Sequence, residues 1–364
     1  FVYAAALNTV LSGEGPEFYP SSIIEDETTV FYFNNQEYEP ANYGHKVYGQ
    51  VNLRYALAHS VNIATVKLAE AVGYNRVAAL ARQAGAGKRI VATPAMALGA
   101  YEATPIDMAA SYTVFANRGV HQSPVWVKLV RDSRGSIVRQ FKSEQNRVLD
   151  PRVAYMMVDL MEEVINSGTG AGVRSRGFRF PAAGKTGTSR DGWFAGFTSK
   201  LICVVWVGFD NNDELLLEGA QSALPIWTEF MKRAHEVREY RDPSGFESPA
   251  GVVSVSVDPA TGMLATPACA KTRPEVFVDG TQPLEFCRLH GGAGSQSTMV
   301  AGWETVDGPS TTASVVSTSV SSGAPPAVSA SKPAPPPALA ADSTPEPPPQ
   351  QAEPKKRRSI FRRL

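Results

Sequence analysis

The sequence has little cysteine, no long apolar run and no net charge. Its 364 residues hold three cysteines, too few for the disulfide framework of a small secreted scaffold. No stretch of 18 apolar residues occurs, so the sequence predicts no transmembrane helix. Lysine plus arginine and aspartate plus glutamate each number 35. The 43% of hydrophobic residues still suffice for one large core or two modest ones.

The chain has no net charge, but its charged residues are unevenly distributed. The last ten residues, 355–364, hold six cations and no anion, which leaves a net −6 for residues 1–354. The body of the chain therefore has no electrostatic basis for binding nucleic acid. We expect the basic tail to be a solvated extension, with contact to an anionic surface as the alternative.

The three cysteines have different settings. Cys203 lies in an apolar run, which favours a buried structural thiol. Cys269 and Cys287 share a loop-rich stretch and can form a disulfide in an oxidising compartment or remain free. Cys287 and His290 also have a metal-ligand spacing. Zinc is the less favoured alternative here, because Cys269 is the only obvious third ligand.

The pattern changes twice along the chain. Residues 1–245 alternate helical and strand-like segments. Residues 246–306 form a small β-rich region, with strict alternation at Val253–Val257 and a turn at Asp258–Gly262. Residues 307–364 are rich in Pro, Ala and Ser and predict a disordered linker that ends in the basic tail.

Within residues 1–245, the apolar periodicity predicts four helices and two strands. The predicted helices are Ile63–Val72 with its approach at 51–59, Pro105–Ala116 with Thr104 as N-cap, Arg152–Ile165, and Pro225–Val237. The predicted strands are Phe194–Thr198 and Leu201–Phe209. The second strand is nearly all apolar, which is typical of a central strand.

The segment from Gly184 to Thr188 combines a cation, two hydroxyls and two glycines. On an edge strand Thr186 and Thr188 point to one face and can both hydrogen-bond one carboxylate. Lys185 adds positive charge, Gly187 permits close approach to the backbone, and the Thr188 N–H suits oxyanion stabilisation. A Lys-Thr-Gly tripeptide alone is equally consistent with an ordinary turn.

Ser60-Val61-Asn62 lies between two predicted helical segments. A serine at this point can relay a proton, and an asparagine can hold a substrate amide. The same pair also suits a helix N-cap, because Ser and Asn side chains accept hydrogen bonds from the first N–H groups of a helix. The tripeptide alone leaves both interpretations open.

In this order and with their flanks, the two motifs resemble those of the class A penicillin-binding proteins, the bifunctional cell-wall synthases, whose motif set is Ser-x-x-Lys, Ser-x-Asn and Lys-Thr-Gly. The resemblance covers about residues 1–291. The matching segments are Tyr48–Asn62, Ala97–Ala100, Thr104–Ala109, Phe115–Gly119, Gly168–Gly170, Val173-Arg174, Gly184–Thr188, Asp191–Phe197, Trp206–Asp210 and Pro225–Trp227.

The resemblance implies an α/β (α+β) fold, with an antiparallel sheet flanked by helices and a β-rich C-terminal appendage. It also implies cross-linking of peptidoglycan stem peptides ending in D-Ala-D-Ala through a serine acyl-enzyme, with β-lactams acylating the same serine. No metal, organic cofactor or nucleic acid is implied. The site residues carried over are catalytic Ser60 and Lys185 and substrate-binding Asn62, Thr186, Gly187 and Thr188.

One element of the family pattern is missing. In the family, Ser-x-x-Lys precedes a segment similar to Phe1–Leu7, so we expect the sequence to begin just past the catalytic lysine. The chain's only Ser-x-x-Lys, Ser329–Lys332, lies in the proline-rich linker, which offers neither a rigid setting nor a base within reach. The 364-residue chain alone is expected to be inactive and unlabelled by penicillin.

Two other functions stay open. A D,D-carboxypeptidase or β-lactamase on the same fold would resolve the acyl-enzyme with water, although Val61 stands where the β-lactamase motif has Asp. A non-catalytic sensor of penicillin or cell-wall peptide would account for the missing nucleophile. By resemblance, the parent protein also carries a glycosyltransferase domain and a membrane anchor, with this region on the periplasmic face of the cytoplasmic membrane.

Overall fold

The computed structural model describes residues 1–13 and 15–290. The predictions for Ser329–Lys332, the proline-rich linker and the basic tail lie outside this part of the chain. In the described residues, no helix combines the length and the apolar character needed to cross a bilayer.

Helices and small sheets alternate through the described residues. The helices are α1 (Val2–Leu7), α2 (Thr9–Ser12), α3 (Leu53–Ala58), α4 (Asn62–Val72), α5 (Tyr74–Gln83), α6 (Pro105–Ala116), α7 (Pro151–Asn166), α8 (Gly172–Ser175) and α9 (Ala223–Ala234), with 3-10 turns at Tyr43–His45 and Pro94–Leu98. The strands are β1 (Ile23–Asp26), β2 (Phe31–Phe33), β3 (Gln36–Tyr38), β4 (Gly49–Asn52), β5 (Val120–Gln122), β6 (Leu129–Arg131), β7 (Ile137–Gln140), β8 (Gln145–Arg147), β9 (Ala183–Thr188), β10 (Gly192–Phe197), β11 (Ile202–Val207), β12 (Val252–Val257) and β13 (Arg273–Val278).

A three-stranded antiparallel sheet carries the Lys-Thr-Gly segment. Its order is β11-β10-β9, so β9 is an edge strand of the sheet. Thr186 of β9 pairs with Phe194 of β10, and Gly187 pairs with Trp193. The other sheets of the described chain are two-stranded: β1-β4, β2-β3, β5-β8, β6-β7 and β12-β13.

Helices cover both faces of the three-stranded sheet. Ile202 and Val204 of β11 pack against a core built mainly from α1, α4, α6 and α7. The alternate residues Cys203 and Val205 pack against a second core around the fully buried Trp227 of α9. Each large apolar side chain buried in this way stabilises the fold by about 1.5–3 kcal/mol. The sheet is therefore fixed on both faces, and its β9 edge is held rigidly.

The second predicted strand lies at an edge of the three-stranded sheet and not at its centre. Of the described strands, β11 pairs with β10 alone, so the prediction that Leu201–Phe209 forms a central strand is wrong. The run is apolar because helices cover both of its faces, not because strands flank it on both sides. The thiol of Cys203 is half-buried, and burial raises its pKa to about 12.

The predicted helices are largely confirmed. Helix α6 spans the predicted Pro105–Ala116, and Thr104 Oγ1 accepts a hydrogen bond from the Asp107 N–H at 3.2 Å, as an N-cap does. Helix α9 ends at Ala234, before the predicted Val237. The approach at 51–59 begins as strand β4 and becomes helix α3 only at Leu53.

The strands β12 and β13 and their loops, residues 252–290, are called the β12–β13 region below. A buried ion cluster joins this region to two helices. Arg54 of α3 donates through Nε to Glu275 of β13 at 2.8 Å and pairs through Nη2 with Asp159 of α7. Burial opposes the charge of Arg54, but its pairing with Glu275 and Asp159 outweighs this and raises the pKa of the guanidinium. The ion cluster ties the region firmly to α3 and α7.

Candidate active site

Lys185 lies half-buried on the edge strand β9. Its Nζ donates to the carbonyl oxygen of Thr186 at 2.9 Å and lies 3.5 Å from the hydroxyl oxygen of the same residue. Burial lowers the pKa of Lys185 to about 8, because a low-dielectric setting disfavours the ammonium form. These partners are neutral, so the ammonium charge is available to an incoming anion.

The two threonines of β9 have different partners. Thr186 is buried, and its Oγ1 lies 2.6 Å from Oγ1 of Thr169. Thr188 is exposed, and its Oγ1 accepts a hydrogen bond from the Gly219 N–H at 2.9 Å. Gly219 has to be glycine, because a Cβ there would lie 2.2 Å from the carbonyl oxygen of Gly187. The hydroxyls of Thr186 and Thr188 are therefore both held in place.

Ser60 lies in a left-handed turn at the end of α3, with φ of 55°. Its N–H bonds to the carbonyl of Leu57 at 3.2 Å, and the N–H of Val61 bonds to that of Ala56 at 2.9 Å. This is a Schellman motif, whose left-handed position is usually occupied by glycine. The conformation costs a non-glycine residue about 1–2 kcal/mol. Backbone strain of this kind concentrates at functional sites.

Asn62 begins α4 without capping it. The cap is Asn42, whose Oδ1 accepts the N–H groups of Asn62 at 2.8 Å and Ile63 at 3.1 Å. Asn42 is itself oriented by the buried carboxylate of Asp26 at 2.7 Å. The N-cap interpretation of the Ser-Val-Asn tripeptide is therefore wrong. The side chain of Asn62 donates instead to the carbonyl of Ala41 at 2.8 Å, which sets the direction of its amide.

Thr169 connects the two motifs. Its N–H bonds to the carbonyl of Ala58, two residues before Ser60, at 2.9 Å, and its hydroxyl contacts Thr186. A Cβ on Gly168 would lie 2.2 Å from the same Ala58 carbonyl, so this loop lies directly against α3. From the sequence, this segment is only one of those that match the family pattern, with no role for Thr169. Sequence reasoning missed the roles of Thr169, Asn42 and Asp26, because each acts on residues distant in the sequence.

Helix α1 starts beside the same site. All six of its residues are buried. The hydroxyl of Tyr3 lies 3.0 Å from Oγ1 of Thr65, and both residues are in the first turn of their helices. The beginnings of α1 and α4 therefore lie next to each other, close to Ser60 and Asn62.

An antiparallel sheet between helical layers presents a cationic, hydroxyl-rich edge strand, and Thr169 bonds this strand to Ala58, two residues before the Ser-x-Asn turn. These features define the penicillin-recognising class of transpeptidase domains. The family profile of the penicillin-binding protein transpeptidase domain matches residues 18–231, more than half of the chain, and the chain belongs to this family. Residues 248–292 match a second family, the C-terminal domain of penicillin-binding protein 1A.

Relatives and solved structures agree with this assignment. Penicillin-binding protein 1A of Aquifex aeolicus is 36% identical over 69% of this chain and 34% of its own length. Penicillin-binding protein 2D of Bacillus subtilis is 32% identical over 74% of this chain and 40% of its own length. The chain thus spans only a minor part of these relatives.

Two solved structures confirm the expected fold class. Penicillin-binding protein 1A from Haemophilus influenzae superposes with a TM-score of 0.70 at 25% identity, over 78% of this chain and 48% of that one. PonA1 from Mycobacterium tuberculosis, solved in complex with penicillin V, has a TM-score of 0.54 at 21% identity, over 68% of this chain and 69% of that one. The second likeness concerns the fold alone.

Proposed function

We propose that this chain contributes the transpeptidase region of a bifunctional cell-wall synthase, which cross-links peptidoglycan stem peptides ending in D-alanyl-D-alanine. Its ligands are these peptides and β-lactams, as the family name and the penicillin V complex of PonA1 suggest. The protein works on the periplasmic face of the cytoplasmic membrane and is anchored there. A glycosyltransferase domain accompanies this region, as in the bifunctional class.

The half-buried ammonium of Lys185, which lies 3.5 Å from the Thr186 hydroxyl, carries this proposal. A carboxylate on this face of β9 gains a charge-assisted hydrogen bond from Lys185 and accepts further bonds from Thr186 and Thr188. That carboxylate is the C-terminal group of the donor peptide. The donor backbone runs along the open edge of β9 as an added strand, and Gly187 leaves room for it.

The first half of the reaction is acylation. A serine oxygen attacks the carbonyl carbon of the penultimate D-alanine, and the serine proton passes to the amine of its paired lysine. The N–H of Thr188 stabilises the oxyanion, a contribution of about 2.7–4 kcal/mol per donor in serine hydrolases. The C–N bond then breaks, and the terminal D-alanine leaves with a proton relayed through the hydroxyl of Ser60.

The second half is transfer to a second peptide. The amine of that peptide attacks the ester carbon of the acyl-enzyme, the C–O bond to the serine breaks, and the serine regains a proton. The amide of Asn62 orients the donor during both steps. The chemistry assigned to these residues involves proton transfer and acyl transfer only.

We place the nucleophilic serine and its lysine outside these 364 residues. The only Ser-x-x-Lys, Ser329–Lys332, is outside the described residues and has the composition of a linker. A segment joined to Phe1 would enter the site beside Asn62, because the Tyr3–Thr65 contact sets the starts of α1 and α4 side by side. Loss of a nucleophile reduces turnover about a million-fold in a triad enzyme, so this chain alone is proposed to be inactive.

Product analysis tests the proposed reaction. A polypeptide carrying a Ser-x-x-Lys segment before Phe1 is incubated with an N-acylated donor ending in D-Ala-D-Ala and with an acceptor amine. We expect mass spectrometry to show the amide-linked product together with released D-alanine. If hydrolysed donor were the only product, the activity would be that of a D,D-carboxypeptidase and not of a transpeptidase. Donor that binds without reacting would indicate a sensor.

A matched pair of serine variants tests the proposed proton relay in the same polypeptide. Ser60→Ala should reduce turnover by about 10²–10⁴-fold, the usual contribution of general acid–base catalysis. Ser175→Ala, at an exposed serine of α8, should leave turnover unchanged. Equal rates for the two variants would remove Ser60 from the mechanism.

A further inference from the structure

Four metal-binding side chains meet in the β12–β13 region, away from the transpeptidase residues. Asp258, Cys269, Cys287 and His290 each offer one ligand atom, and these atoms all lie within 4.8 Å of one another. Sequence reasoning identified only three members of this group. It missed Asp258, which stands in a turn motif and has no metal-ligand spacing to the others.

The two separations from Cys287 Sγ to its neighbouring ligand atoms are close to those around one tetrahedral ion. Zinc lies about 2.3 Å from sulfur and about 2.0–2.2 Å from nitrogen or oxygen, so its ligand atoms are about 3.3–3.8 Å apart. Cys287 Sγ lies 3.2 Å from Asp258 Oδ2 and 3.5 Å from His290 Nδ1. The Nδ1 and Oδ2 atoms are 2.5 Å apart, so this one pair has to separate by about 1 Å around an ion.

The loop after β12 fixes the direction of the carboxylate. The side chain of Asp258 is only 2% exposed, and its Oδ1 accepts a hydrogen bond from the Ala260 N–H at 2.8 Å. This bond leaves Oδ2 facing the thiol of Cys287. The backbone N–H of Cys287 bonds to the carbonyl of Leu264 at 2.8 Å, and Leu264 bridges to Val257 at the end of β12. The carboxylate and this thiol are therefore set by backbone pairing.

A tight turn positions the second sulfur. Cys269 Sγ accepts the N–H of Thr266 at 3.3 Å and lies 3.4 Å from its hydroxyl. Hydrogen bonds of this kind orient metal ligands and stabilise the thiolate that binds metal. The hydroxyl of Thr266 also lies 3.4 Å from the carbonyl of His290, which ties the last ligand to the same turn.

The competing use of these sulfurs is a disulfide. Both cysteines are free thiols in the structure. A disulfide would leave the buried Asp258 carboxylate beside neutral sulfur with only His290 as an ionic partner, and burial of an incompletely paired charge is unfavourable. Zinc instead binds all four groups, and a set of two thiolates, one imidazole and one carboxylate favours zinc over magnesium or calcium.

We propose that Asp258, Cys269, Cys287 and His290 form a structural zinc site. All four tetrahedral positions are filled by protein ligands, so the site is closed and has no open position for a substrate. A two-stranded sheet with long loops has little core of its own, and metal binding supplies stabilisation that apolar burial does not. This site does not depend on the proposed transpeptidase reaction.

Metal content tests the proposal on the full 364-residue chain. The chain is purified under reducing conditions, exposed to zinc, and dialysed against metal-free buffer. Elemental analysis should find one zinc per folded chain, and this zinc should be lost from Cys287→Ser and Asp258→Asn. The matched controls Cys203→Ser in β11 and Asp279→Asn, at an exposed carboxylate, should keep it.

Cobalt substitution separates ligand loss from unfolding. Cobalt(II) bound to thiolates gives a sulfur-to-metal charge-transfer band, which should weaken in Cys269→Ser and disappear in the double Cys269→Ser and Cys287→Ser variant while circular dichroism shows an intact fold. A folded chain that retains no zinc would overturn the proposal. A Cys269–Cys287 disulfide formed in the presence of zinc, seen by mass spectrometry as the loss of two hydrogens, would also overturn it.

Discussion

The β9 strand and the Asp258–His290 cluster are two polar assemblies of opposite construction. The residues of β9 are contiguous in sequence and lie on the edge of a sheet whose two faces are buried. The cluster draws its groups from separate loops outside any large sheet. Consecutive residues on one strand are visible as a motif, whereas groups brought together by loops are visible only after folding.

The two assemblies also differ in what satisfies their charges. On β9 the ammonium of Lys185 has neutral partners and is available to an external anion. In the cluster the Asp258 carboxylate contacts Cys287 and His290 of the same region. Changes on β9 should therefore alter ligand binding, whereas changes in the cluster should alter stability.

The largest expected effect comes from the buried ion cluster that joins the β12–β13 region to α3 and α7. Arg54→Ala leaves Asp159 and Glu275 without their cation, and loss of one member of a buried ion pair costs roughly 3–5 kcal/mol. We expect the free energy of unfolding, measured by urea titration, to fall by this amount.

The matched control for Arg54→Ala is Arg118→Ala. Arg118 pairs with Glu247, and both side chains are more than half exposed. An exposed pair contributes about 0–1 kcal/mol, so the control should change stability little. Equal losses from the two variants would show that the β12–β13 region is not tied to α3 and α7 by the buried cluster.

Removal of the proposed zinc should have the next largest effect. If free zinc stands at about 100 times its dissociation constant, chelation costs about 2.7 kcal/mol of folding stability. The melting temperature of the zinc-loaded chain should therefore fall on addition of a chelator, while peptide binding at β9 stays the same. A chelator effect equally large in the Cys287→Ser variant would assign the loss to something other than this site.

The charge of Lys185 should make peptide binding at β9 depend on pH. The carboxylate of an N-acetylated peptide ending in D-Ala-D-Ala stays ionised above neutral pH, whereas the Lys185 ammonium loses its proton near its lowered pKa of about 8. Affinity, followed by NMR titration, should be steady below this pH and fall towards tenfold per pH unit well above it, about 1.4 kcal/mol.

Lys185→Arg is the control for this pH dependence, because a guanidinium remains charged across the range. The variant should show no decline in affinity between neutral and alkaline pH. A decline in the variant equal to that of the unaltered chain would assign the pH dependence to another group.

The smallest expected effect concerns strain at Ser60. Ser60→Gly relieves the left-handed conformation and should raise the free energy of unfolding by about 1 kcal/mol, while removing the hydroxyl proposed as proton relay. Asn212→Gly is the control, since Asn212 has φ of 60° in a loop and asparagine tolerates this region better than serine. Similar gains from both variants would show that Ser60 is not unusually strained.

Sequence reasoning reached the local features of this fold and site. The cap at Thr104 follows from residues close together in sequence. It failed where the physical cause was distant: Asn42 caps α4 from 20 positions away, and helices on both faces of β11 imitate the composition of a central strand. Asp258 joins the cysteines through backbone pairing at Leu264, which no local pattern encodes.

Covalent labelling by a fluorescent penicillin, read on a denaturing gel, tests most directly the proposal that this site lacks its nucleophilic serine and the paired lysine. Two polypeptides are compared: the 364-residue chain, and the same residues preceded by a Ser-x-x-Lys segment joined to Phe1. We predict covalent label on the longer polypeptide and none on the 364-residue chain. Covalent label on the 364-residue chain, at Ser60 or at any other residue, would contradict the account.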